Sequence, residues 1–349
     1  MAWVRAQLPA AAGLDDGTCY AIHQHAWSRF TQGQAAEALQ TVQDLIDRLE
    51  REGLADGIDP AFQLATSYLY LGRIYDHAGR SDLALEPLQR TIAGFERLSE
   101  ASNLATALSD LAYAQSNLGR LDAALVTAER SLAINQALGH DLAVVTALGQ
   151  IADILTDQQR YAEAEDRYDQ ALRAAREAGA LGLQSLLLQH QGILKDNLGQ
   201  YDQAVERYQQ ALQLFQRAGN LAEEMRTCGL LAGTEEERGQ LDAAEAWYSR
   251  SLELAERLND KSQLSAIAHN LSVLYRKRAE QTDVPAKRTA WLRQAIASVK
   301  QSLAITLEMQ NPVHVAMSYH QLGILYRLLG DLDQAKQHAL QALQNLRIS

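Results

Sequence analysis

The chain has 349 residues, 47% of them hydrophobic, and a formal net charge of -11. The apolar share fits a folded chain, and the acidic balance argues against a general affinity for nucleic acid or an anionic membrane surface. Its two cysteines, Cys19 and Cys228, are too few and too far apart for a disulfide framework or a cysteine-based metal site, so two buried thiols in a reducing, cytoplasmic setting are expected.

Residues 1–15 hold one arginine and a short alanine-rich run, too weakly apolar for a signal peptide, and are expected to form a leader or cap. No segment reaches the roughly 18 apolar residues of a membrane-spanning helix. From residue 16 onward a single phrase recurs. A turn residue stands at Gly33, Gly79, Gly119, Gln159, Gly199, Gly239 and Gly330, and from Gly79 to Gly239 each step is 40. The first step is longer by a Gly/Asp-rich loop, Gly53 to Asp59. The last step spans two units, with the extra residues placed around Ala279 to Ala290, a segment that includes Pro285.

Five places after the turn residue, or its equivalent in the seventh unit, stand Ala38, Ala84, Ala124, Ala164, Ala204, Ala244, Ala295 and Ala335. Eight places further on, Ile46, Ile92, Leu132, Leu172, Leu212, Leu252, Leu303 and Leu343 form an aliphatic column. Small residues let two helices approach closely, and large neighbours fill the space between them. Each unit therefore reads as helix A, a tight turn, and helix B, giving about sixteen antiparallel helices and no strands. The units lie near 16–52, 61–99, 102–138, 142–178, 182–218, 221–258, 261–309 and 313–347, within one domain over 16–349. Asp59-Pro60 and Asn311-Pro312 read as N-caps followed by first-turn prolines. Pro87, well inside a B helix, is expected to kink it.

Leu71-Gly72-Arg73-Ile74-Tyr75 and Leu322-Gly323-Ile324-Leu325-Tyr326 carry a Leu-Gly-x-x-Tyr core, and Ala164 with Tyr168, Ala204 with Tyr208 and Ala244 with Tyr248 carry an Ala-x3-aromatic element. These residues resemble the tetratricopeptide repeat, in a long form of about 40 residues per unit similar to kinesin light chains and to the sensor arms of signalling proteins. The resemblance implies an all-α fold, an α-solenoid wound as a right-handed superhelix of about eight units, with the A helices lining its concave side. It also implies a non-enzymatic scaffold that binds a peptide or protein there, without a cofactor. The alternative it implies is the ligand-sensing arm of a larger signalling or transcription-regulating ATPase.

Helical spacing places the open A-helix positions three, six, nine and ten residues before the turn. They supply the candidate groove residues Tyr70, Arg73, Asp110, Tyr113, Gln150, Asp153, His190, Asp196, Asn270, Arg276, His320 and Arg327. Their identities vary from unit to unit, unlike the packing columns. Asp110, Asp153, Asp157, Asp196 and Glu235 to Glu237 suggest an acidic middle, and Arg276, Lys277, Arg278 and Arg327 a basic C-terminal end. Such a surface would favour a bipolar peptide, or one whose acidic end meets the arginines. Only Asn270 occupies the position where long-repeat relatives often hold an asparagine ladder.

No phosphate-cradling loop, His-Glu-x-x-His or Cys-x-x-Cys motif occurs. His23 and His25, two apart on a helix, point to different faces, and no metal site is expected from them. The last helix carries polar Lys336 and Asn345 but keeps Leu340, Leu343 and Leu346. It either caps the array, pairs with a second copy in self-association, or continues into a longer protein.

Overall fold

The computed structural model describes residues 14–55 and 59–346. Most of the expected N-terminal leader, residues 1–13, lies outside the described residues, as do residues 56–58 of the Gly/Asp-rich loop. The described residues contain sixteen α-helices and no strand. Packing divides the chain into two compact units, Met1–Ala180 and Leu181–Ser349.

In the N-terminal unit α1 (Asp16–Thr31) pairs with α2 (Ala35–Glu52), α3 (Ala61–His77) with α4 (Ser81–Arg97), α5 (Ala101–Asn117) with α6 (Leu121–Leu138), and α7 (Asp141–Asp157) with α8 (Tyr161–Glu177). In the C-terminal unit the pairs are α9 (Leu181–Asn197) with α10 (Tyr201–Ala218), α11 (Leu221–Glu237) with α12 (Leu241–Leu258), α13 (Lys261–Glu280) with α14 (Pro285–Glu308), and α15 (Pro312–Leu329) with α16 (Leu332–Leu346). The all-α hairpin array expected from the repeat is what the chain forms.

The turns explain the glycine column. Gly79 sits at φ 75°, where its N–H meets the Asp76 carbonyl at 2.9 Å and the Arg80 N–H reaches back to Tyr75 at 2.8 Å. This closes the helix end with a left-handed residue, which glycine adopts without steric penalty. Gln159 takes the same place at φ 60° with the same bonds, to Thr156 at 2.9 Å and from Arg160 to Leu155 at 2.8 Å.

One helix starts at its expected cap, Asn311, and α3 starts one residue later than expected, with Pro60 rather than Asp59 at the cap position. Asn311 accepts the His314 N–H at 3.2 Å ahead of Pro312, and Asp59 accepts the Ala61 N–H at 2.9 Å. The surplus of the seventh repeat is not a long loop. It lengthens both helices, with α14 opening on Pro285 and Ala279 buried against Leu292 and Ala295. α4 runs through the buried Pro87 as one continuous helix.

Within each hairpin the alanine column is the contact. Seven of its eight members are fully buried, and Ala335, in the last helix, is half-buried. Opposite it lies a second column of small residues on helix A that faces large ones on helix B. A methyl group on Gly192 would come within 2.5 Å of the Tyr208 ring, and one on Gly72 within 2.7 Å of Leu88. Hydroxyls secure the same interface: Thr91 donates to the Ala65 carbonyl at 3.2 Å, Ser131 to Ala105 at 2.8 Å and Ser251 to Met225 at 3.0 Å. Cys19 and Cys228 are buried, and loss of hydration pushes their thiols up to about 11 and about 12. No helix among the described residues is long and apolar enough to cross a membrane.

Two stability predictions follow from this packing. Ala204→Leu overfills the α9–α10 contact and should lower unfolding free energy by about 1–3 kcal/mol in urea titration. Gln159→Gly relieves a left-handed side chain and should raise it by up to about 1 kcal/mol, the unfolded chain's added freedom offsetting part of the gain.

Candidate ligand-binding site

Successive A helices are stitched by polar side chains at repeat-related positions. The residue three before one turn meets the residue two before the next: Asp76 accepts from Asn117 at 3.1 Å, Ser116 donates to Asp157 at 3.5 Å, and Lys277 pairs with Glu236 at 2.8 Å. A second rung joins His23 to Ser67 at 2.8 Å and Gln189 to Thr227 at 2.7 Å. Gln150, 2% exposed, takes the Ser109 hydroxyl at 2.8 Å and returns an N–H to the Ser109 carbonyl at 2.8 Å. These rungs satisfy groups that burial would otherwise penalise.

In the N-terminal unit the ladder leaves two adjoining cavities of about 460 Å³ each. One is lined by Gln24, Trp27 and Tyr70, the other by Asp76, Tyr113 and Asn117, and both share Arg73, His77 and Asp110. The Arg73 Nε meets Asp110 Oδ2 at 2.6 Å across α3 and α5. Burial raises the Asp110 carboxyl above its ordinary value, against the opposing pull of Arg73. Tyr70 is fixed from behind: its ring stacks on His23 at 4.7 Å, and its hydroxyl accepts from Gln24 at 3.1 Å. Trp27 packs edge-on to His77 at 5.6 Å. Tyr113 is 42% exposed, yet loss of hydration around its hydroxyl, with Asp153 and Asp110 nearby, pushes it up to about 12, so it remains a neutral phenol.

Of the twelve candidate residues, Tyr70, Arg73, Asp110 and Tyr113 come together here. Others serve the frame. Gln150 is an interior clamp rather than a groove residue. Asp153 accepts from the buried Tyr168 hydroxyl, and Asp196 takes the Thr234 hydroxyl at 3.1 Å. His190 is half-buried. In the C-terminal unit Asn270 borders a smaller cavity of about 170 Å³ with His269, His314 and Met317, while His320 and Arg327 are exposed.

The basic end expected at Arg276 to Arg278 is not a free cationic surface. Arg276 pairs with Glu280 at 3.3 Å, and Lys277 with Glu236. Arg278 holds Asp242 at 2.7 Å and Glu245 at 2.9 Å while lying over the Trp291 ring. The repeat places Glu236, Asp242 and Glu245 one unit before Lys277 and Arg278, and Glu280 stands one turn after Arg276, so the charges neutralise one another. Sequence spacing also passed over His77 and Asn117, two before their turns. That position shares a helix face with the residues six and nine before, so the signal was present.

Tetratricopeptide repeat models match residues 103–177, 143–224, 183–256 and 315–344. The chain is a tetratricopeptide repeat protein. No curated protein sequence matches it. Several solved structures share the fold. A signal transduction ATPase with numerous domains and a tetratricopeptide repeat sensor, from Pyrococcus horikoshii, has 16% identity and a TM-score of 0.66, covering 95% of this chain and 48% of that one. The apo quorum sensor NprR of B. thuringiensis has 15% identity and a TM-score of 0.62, covering 95% and 89%. The Rap conjugation gene regulator of plasmid pLS20, in complex with the Phr* peptide, has 14% identity and a TM-score of 0.55, covering 95% and 96%.

The ladder gives this tetratricopeptide repeat protein a pH signature. Burial lowers His23 from 6.5 to about 4, so the unfolded chain binds a proton that the folded one refuses. Its contribution is intact above about pH 6.5 and falls away toward pH 4, by about 3 kcal/mol in all. His23→Gln should flatten the urea-stability profile across that window relative to the parent protein; an unchanged slope would exclude a neutral buried imidazole.

Proposed function

We propose that the protein is a non-enzymatic, cytoplasmic scaffold that binds an extended peptide or protein segment on the A-helix face of its N-terminal unit. The observation that carries this reading is the pair of cavities joined across Arg73 and Asp110, rimmed by Trp27, Tyr70 and Tyr113. Aromatic anchors beside a few oriented polar groups are the usual makeup of a recognition pocket. The peptide seen on the similar Rap regulator supports this ligand class. The acidic balance makes nucleic acid and anionic membranes poor partners.

A second reading, the sensing arm of a larger signalling ATPase, is supported by the alignment of nearly the whole chain with about half of the Pyrococcus protein. Self-association through α16 is also proposed, on the exposure of Leu332, Leu340, Leu343 and Leu346.

Selection of a displayed random-peptide library on the purified protein tests the first reading. Tyr113→Ala should weaken a selected peptide by about tenfold or more, and Trp27→Ala by about thirtyfold, with melting temperatures reporting that both variants stay folded. Equal binding to both variants would move recognition away from this face.

A further inference from the structure

The two cavities differ from the rest of the A-helix face in their charge, and that difference names a ligand chemistry. On α5 and α7 there is no lysine or arginine at all, and α3 contributes only Arg73. Against that single guanidinium stand the carboxylates of Asp76, Asp110 and Asp157. Most of their hydrogen-bond partners are neutral: Asp76 receives the Ser81 hydroxyl at 2.6 Å and the Asn117 amide at 3.1 Å, and Asp157 receives the Ser116 hydroxyl at 3.5 Å. Neutral donors orient a carboxylate without cancelling its charge. The arginines of the neighbouring B helices are engaged elsewhere, Arg130 with Glu96 at 2.5 Å and Arg167 with Glu129 at 2.9 Å. These three carboxylates outnumber the guanidinium by about two charges, and Asp76 and Asp110 stand on the wall of a cavity that Tyr113 also lines.

We propose that these cavities receive a basic side chain, arginine in preference to lysine, of the extended peptide bound by the protein. The inference rests on the peptide-binding reading above. A guanidinium is planar, lies against aromatic rings, and donates in a fork that matches a carboxylate. Tyr113, exposed beside Asp110, offers the ring, and Asp76 and Asp110 offer oxygens on the cavity wall. An acidic side chain would meet the same carboxylates and be repelled. A purely apolar one would cover Arg73 and the aspartates without pairing them, which is unfavourable. Burial raises Asp110 above its usual range although Arg73 opposes the shift, and burial and the nearby Asp153 raise Asp157.

The test compares peptides selected on the protein with versions in which each arginine is replaced by citrulline, lysine or glutamate, using isothermal titration. Citrulline keeps the shape and removes the charge. At one position its substitution should weaken binding at least tenfold, lysine should weaken it less, and glutamate should abolish it. Asp110→Asn should erase the arginine-over-citrulline preference while circular dichroism and the melting temperature report an intact fold. If that variant fails to fold, the citrulline comparison on the parent protein decides alone. Peptides that bind through Tyr113 with arginine and citrulline equal would overturn this inference and leave the peptide-binding reading standing. Failure to select any peptide would defeat both. Spermidine competing as well as the peptide at equal concentration would overturn the assignment to a peptide side chain.

Discussion

The structure depends on how closely helix A approaches helix B within each hairpin. A buried alanine on B and a glycine, alanine or serine on A remove the bulk that would hold the helices apart, and Tyr208 over Gly192 or Leu88 over Gly72 fills the space so opened. The interlock is tight enough that a single added methyl at Gly192 has no room. Where the two helices are joined by a tight turn, that turn has little latitude and holds a left-handed residue; the longer connection of the seventh hairpin does without one. The uniformity of the columns is therefore a consequence of close packing.

A hairpin closed in this way still presents polar side chains on helix A, and the next hairpin must cover some of them. The ladder from Asp76 to Asn117, from Ser109 to Gln150 and from Glu236 to Lys277 is how the chain does so. The rungs Asp76–Asn117 and Glu236–Lys277 use different residue types at equivalent positions, carboxylate with amide in one place and carboxylate with ammonium in the other. Variation along these columns thus reflects partner-by-partner pairing, and only part of it is left for recognition.

The cavities of the N-terminal unit lie where rungs and aromatic side chains alternate. Tyr70 is held by His23 and Gln24, and Arg73 is held by Asp110, so the walls are set before any ligand arrives. Walls fixed by neighbouring helices reduce the ordering that binding would otherwise require. The seventh repeat of the C-terminal unit is different in kind. There the charged residues Lys277 and Arg278 are spent on the preceding hairpin, and Trp291 covers Arg278.

The sequence by itself determined the hairpin array, because apolar residues at three- and four-residue spacing, such as Ala107, Leu108, Leu111 and Ala112, lie on one face of a helix and not of a strand. It determined the helix start at Asn311, since capping is a local hydrogen bond. It determined four members of the candidate site, Tyr70, Arg73, Asp110 and Tyr113, through helical spacing alone. The tertiary structure decided that Gln150 is interior, that His77 and Asn117 belong to the site, that the surplus of the seventh repeat becomes helix, and that the basic cluster at Arg276 to Arg278 is neutralised. For Gln150, Lys277 and Arg278 the deciding neighbour is a helix of an adjacent repeat, and periodicity within one helix carries no record of which side chain stands opposite.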